Sequence, residues 1–116
     1  MLEGAFARAD AAKADHPELA EAVFQAAADL SECIDDLVAR DVTERFASAV
    51  PFQTAFARVL GGHAHLTAAL HGDDARQRLA TFYITRLLPE VTGLIAQVRA
   101  DAGQLMEITP DDLAVA

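Results

Sequence analysis

The sequence predicts an all-α fold, an up-and-down three- or four-helix bundle with long antiparallel helices, and three observations predict it. Apolar residues recur at spacings of three and four over long stretches, as one buried helical face requires. Pro17, Pro51 and Gly72 fall at the edges of those stretches, and no strand-like alternation competes with them. Finally, hydrophobic residues make up 53% of the chain but only six phenylalanines, one tyrosine and no tryptophan contribute, so alanine carries much of the total. Alanine is the best helix former and covers little area, which favours closely approaching helices over a thick aromatic core.

The first stretch, Leu2 to Ala14, reads as a short peripheral helix with a weak packing signal, since isolated helices of this length are marginal. Asp15-His16-Pro17-Glu18 then marks a helix start, with Asp15 and Glu18 at capping-box spacing and Pro17 in a first turn whose amides have no helical partner. That helix runs to about Arg40 and presents Leu19, Val23, Phe24, Ala27, Leu30, Ile34, Leu37 and Val38 inward, with Cys33 beside the stripe. Asp41-Val42-Thr43 is either a brief irregularity or more helix. Ser48 is placed to cap a second long helix with Pro51 in its first turn, Phe52, Phe56, Val59, Leu60, His63, Leu66 and Leu70 on its apolar side, and Gly72 as its end.

A third long helix is expected from Asp73 to about Ala102, with Leu79, Phe82, Tyr83, Leu87, Val91, Leu94 and Val98 inward. Pro89 deprives the Thr85 carbonyl of its amide and should bend this helix, with the Thr85 hydroxyl placed to make up part of the loss. Thr109-Pro110-Asp111-Asp112-Leu113 has the cap and first turn of a helix that stops at once. The short connections require antiparallel neighbours. The whole is expected to be one domain over residues 1–116, with residues 1–14 peripheral and residues 104–116 a short tail.

Eighteen acidic residues against nine basic ones give a net charge of −9, which repels nucleic-acid phosphates and anionic lipid surfaces. No apolar run approaches the roughly 18 to 20 residues needed to span a bilayer, and no basic segment followed by an apolar core opens the chain. The single cysteine cannot form an internal disulfide, and a cytoplasmic location is expected.

Catalytic patterns are missing. The sequence has no HExxH and no Glu-x-x-His on two helices, so metal ligation lacks its usual spacing. Gly61-Gly62 lies inside a helix, without the strand-turn-helix setting of a phosphate loop. The pair instead continues a small-residue line through Ala57 and Ala68 that lets another backbone approach, within the chain or across a subunit interface, or leaves a gap facing a ligand. His63 lies on the apolar face between Val59 and Leu66, where its ring nitrogens must find a partner. Tyr83 and Arg86, at i and i+3, are spaced to bracket a carboxylate. Glu32, Asp35 and Asp36 around Cys33 would raise the thiol pKa and oppose nucleophilic chemistry. The candidate interface or pocket is therefore Phe52, Phe56, Gly61, Gly62, His63, Tyr83 and Arg86.

Ala49-Val50-Pro51-Phe52-Gln53-Thr54-Ala55-Phe56, Val59-Leu60-Gly61-Gly62, Leu66-Thr67-Ala68-Ala69-Leu70 and Phe82-Tyr83-Ile84-Thr85-Arg86-Leu87-Leu88-Pro89 together resemble a known domain. It is the carboxy-terminal helical domain of bacterial acyl-CoA dehydrogenases of the 3-methylmercaptopropionyl-CoA dehydrogenase-like group. The resemblance covers roughly residues 18–103. It implies a connection to fatty-acid metabolism and a module with no cofactor of its own, because the flavin and catalytic carboxylate of such enzymes belong to a preceding body that nothing here resembles. It also implies a homo-oligomer, expected to be a dimer, or a flavoenzyme partner. Position 63 is often a large aromatic in that family and is histidine here, which alters the packing of this face. The motif-poor opening through Ala14 reads more like a natural start than a cut, although an excised dehydrogenase domain also fits. The alternative is a small stand-alone protein that holds an acyl or other apolar ligand within the bundle.

Overall fold

The computed structural model describes residues 2–12 and 15–114, all of whose regular structure is helical. Among the described residues eight helices follow one another: α1 (Leu2–Ala12), α2 (Pro17–Val38), α3 (Val42–Ala47), α4 (Ala49–His71), α5 (Asp74–Arg86), α6 (Glu90–Arg99), α7 (Ala102–Met106) and α8 (Pro110–Ala114). The expected end of the first helix at Ala14 and the last residues of the tail, Val115 and Ala116, lie outside the described residues.

Helix α2 begins at Pro17, whose fixed φ and missing amide suit the first helical position. This places His16 at the cap, without a side-chain hydrogen bond. The Asp15–Glu18 capping box does not form, because a pre-proline residue is pushed out of the helical region and Asp15 stands one position too early. Of the two alternatives at Asp41-Val42-Thr43 both hold in part: the chain breaks at Asp41, which then caps the short helix α3 by accepting from the Glu44 amide at 2.9 Å. Ser48 stands at the start of α4, but its hydroxyl does not cap. It is buried and donates to the Val98 carbonyl at 2.9 Å, pinning α4 to the end of α6.

Val23 meets Gly62 at one end of the α2–α4 pair and Leu37 shares a groove with Phe52 at the other, so the two helices are antiparallel. Gly72 takes an extended conformation that stops α4, and Asp73 caps α5 by accepting from the Arg76 amide at 3.1 Å. Antiparallel packing of α5 and α6 on α4 follows, with Tyr83 opposite Gly61 and Glu90 opposite Arg58. Helix α1 lies across α2 and α4 and buries Ala5 and Ala9 there.

The expected single bent helix is two helices. Pro89 ends α5 three residues early, and residues 87–89 form a turn in which the Leu87 and Leu88 amides both donate to the Tyr83 carbonyl, at 2.9 and 3.0 Å. Among the described residues the Thr85 hydroxyl makes no compensating bond, and Thr85 is exposed. The inward face also differs. Ala80, Ile84, Leu88, Val91, Ile95 and Val98 are buried, whereas Leu79 and Phe82 are 57% and 59% exposed. Close approach to α4 selects the stripe that starts with a small residue, which a reading weighted by side-chain size misses. Phe24, Val38 and Leu60 likewise point outward in part, and Cys33, expected beside the stripe, is in the core.

Candidate interaction surface

The seven candidate residues do not form one site. Gly61 faces Tyr83 across the α4–α5 contact, where a β-carbon would collide with the Tyr83 hydroxyl and lie 2.5 Å from its ring carbon Cζ. Tyr83 fills that space, donates to the Arg58 carbonyl at 3.0 Å and stacks on His65 with ring centroids 4.6 Å apart. Arg58 in turn pairs with Glu90 at 2.9 Å. The small-residue line thus serves an intrachain helix contact. Gly62 faces the interior, where a β-carbon would be 3.3 Å from Leu88 and 3.6 Å from Val23.

His63 turns towards α1, with its ring 3.9 Å from the position a β-carbon on Gly4 would take. Its Nδ1 is buried without a hydrogen-bond partner, as is Nε of Arg8 on the same helix α1. Arg86 is exposed and, among the described residues, makes no ion pair. The Tyr83–Arg86 pair therefore brackets no carboxylate, the tyrosine hydroxyl being committed to Arg58.

Phe52 and Phe56 stand apart from the other five, with ring centroids 6.1 Å apart on the first turns of α4. They form one wall of an open apolar groove of about 630 Å³, completed by Leu37 of α2, Val42, Arg45 and Phe46 of α3, and Ala49 and Gln53. Phe46 is 77% exposed, and Val38 and Val50 beside the groove are 70% and 72% exposed. The spacing contains the signal: Val38, Val42, Phe46 and Val50 recur every four residues across Asp41, an apolar stripe that no helix among the described residues covers.

A polar latch holds the α3 wall in place. Arg40 donates to the Val98 and Arg99 carbonyls at 2.9 and 3.1 Å, satisfying the open end of α6. Glu44 accepts from the Ala102 amide at 3.2 Å, satisfying the start of α7, and Arg99 pairs with Asp36 at 3.1 Å. Burial pushes the Cys33 thiol above its ordinary value and Asp36 adds to this, against the opposing charges of Arg99 and Arg40. Burial, more than the acidic neighbours, thus keeps the sulfur protonated. Among the described residues no group of three His, Cys, Asp or Glu side chains is arranged to hold a metal ion.

The family model described as acetyl-CoA dehydrogenase C-terminal like matches residues 4–109, spanning everything from α1 to the start of the last turn. The chain belongs to that family. No curated protein and no solved structure matches it. Membership extends over α1, which the sequence resemblance leaves out, and takes in the groove, the α4–α5 contact and the polar latch. Among the described residues no helix is long and apolar enough to cross a membrane.

Proposed function

We propose that this chain is a non-catalytic association module of the cytoplasm, which joins copies of itself or supports a flavin-dependent acyl-CoA dehydrogenase through its α2–α3–α4 face. The observation that carries this reading is the apolar groove with Phe46, Val38 and Val50 standing in solvent around it. Contiguous exposed apolar surface of this kind marks association sites. Family membership supports it, since the matching model is named for the end of a dehydrogenase. The test is mass by light scattering over a concentration series, with and without a purified flavin-dependent acyl-CoA dehydrogenase from the source cell. Formation of an oligomer or of a complex is expected, and Phe46→Asp should weaken it. A chain that stays monomeric and binds no flavoenzyme refutes the reading.

A second reading has one observation in its favour. The groove volume of about 630 Å³ lies within the range of small-molecule sites, so an acyl chain could lie along Phe52 and Phe56. Displacement of a fluorescent fatty acid by long-chain acyl-CoA, lost in Phe52→Asp, would favour this reading over association.

A further inference from the structure

We infer that the outer face of α5 is a docking site for an acidic amphipathic helix of a different protein, separate from the groove and independent of what the groove binds. Helix α5 packs on α4 and α2 and turns Ala80 and Ile84 inward. At about 100° per residue, the opposite side gathers Ala75, Arg78, Leu79, Phe82 and Arg86 within an arc of roughly 100°. All five are exposed. Two large apolar side chains, Leu79 and Phe82, thus stand in solvent between two arginines, along about three turns and roughly 16 Å of helix.

Charge decides what covers this face. Residues 45–89 hold five arginines and only two acidic residues, Asp73 and Asp74, whereas the rest of the chain holds sixteen acidic residues and four basic ones. From Ala75 to Pro89 there is no carboxylate at all. Arg40, Arg58 and Arg99 are paired within the chain, but among the described residues Arg78 and Arg86 make no ion pair, and Asp74, one turn before Arg78, does not pair with it. Arg86, spaced with Tyr83 to meet a carboxylate, therefore keeps its planar set of donors for one from outside.

A helix that carries Glu or Asp on either side of an apolar stripe matches this face, with carboxylates on Arg78 and Arg86 and apolar groups on Leu79 and Phe82. Such a helix is narrow and stays on the acid-free surface. Nucleic acid or an anionic bilayer extends past the patch, where the acidic remainder of the chain repels it. Five residues are far fewer than the roughly 20 to 30 of a standard interface, so the contact should be weak and sensitive to salt.

Fluorescence anisotropy of the full chain with a labelled peptide tests this. The probe is an amphipathic helix of about 14 residues with leucines flanked by glutamates, beside a twin in which every glutamate is glutamine. Saturable binding of the glutamate peptide is expected, about tenfold tighter than that of the twin and weakened by added salt. Arg78→Glu with Arg86→Glu should weaken it at least about tenfold, and Phe82→Ala several-fold. Phe46→Asp, in the groove, should leave it unchanged, which separates this face from the associative reading of the other. All of these positions are exposed, and helical circular dichroism checks that each variant folds. No saturable binding up to about 1 mM, equal affinity for the twin, indifference to the arginine reversal, or loss through Phe46→Asp overturns the inference. So does self-association of the chain, or binding to phosphatidylserine vesicles, that the arginine reversal abolishes, since the occupant would then be a second copy or a lipid surface.

Discussion

Gly61 sits opposite the Tyr83 hydroxyl, so its replacement by alanine sets two energies against each other. Helix propensity favours alanine by about 1 kcal/mol. The new β-carbon would displace Tyr83, costing the bond to the Arg58 carbonyl and the stack on His65, together about 2 to 3 kcal/mol. Gly61→Ala should therefore destabilise the chain by about 1 to 2 kcal/mol in urea unfolding, and adding Tyr83→Phe should not restore it, because the ring carbon Cζ would still lie 2.5 Å from the new β-carbon. Gly93 is the opposite case. It lies inside α6, exposed, with nothing within 4 Å of a β-carbon, so Gly93→Ala should stabilise by about 0.5 to 1 kcal/mol in the same measurement. The two glycines have the same propensity cost, and only the partner across the interface separates them. The sequence makes the close packing at Gly61 legible through the small-residue line, but not that the visitor is Tyr83 of the same chain.

Among the elements, the boundaries at Pro17 and Gly72 are legible because a proline without an amide and a glycine after an apolar stripe act locally. The split of α5 from α6 is less so, since how far a proline bends a helix depends on what the freed turn packs against, and the Tyr83 carbonyl accepts two amides to close it. Helix α3 is short enough that its capping by Asp41 and its tie through Glu44 decide whether it forms at all. Arg40 is the hub of that tie, and Arg40→Ala should cost about 1 kcal/mol, the two bonds being partly exposed, and should loosen α7 before the long helices in hydrogen exchange. The carboxy-terminal caps also carry a pH dependence. The Gly103 amide holds the Asp101 carboxyl below its ordinary 3.8, and the Thr109 amide and hydroxyl do the same for Asp112. A depressed folded pKa means that the cap contributes above about pH 4 and is lost as pH falls through the lowered value. Amide resonances of Gly103 and Thr109 should therefore move in acid below pH 4, while those of α2 and α4 hold.

As a whole the molecule is long and thin. Its principal extents are 57, 31 and 16 Å, and its radius of gyration of 17.2 Å exceeds the roughly 13 Å of a compact domain of this length. A body of this shape buries less of its apolar surface on itself, and large side chains remain outside at Phe46, Phe82, Leu79 and Leu113. The all-helical class and the three long segments were open to sequence reasoning because periodicity reports a buried face. The groove was not, because periodicity reports only that a face is apolar, and whether it meets its own chain or another depends on how α3 is set against α2 and α4. Hydrogen–deuterium exchange at rising protein concentration asks that question directly. The account predicts protection that grows with concentration over Val42 to Phe56 and leaves Gly61, Tyr83 and Arg86 unchanged. Protection independent of concentration along α3, or appearing instead around Arg86 and Phe82, would contradict it.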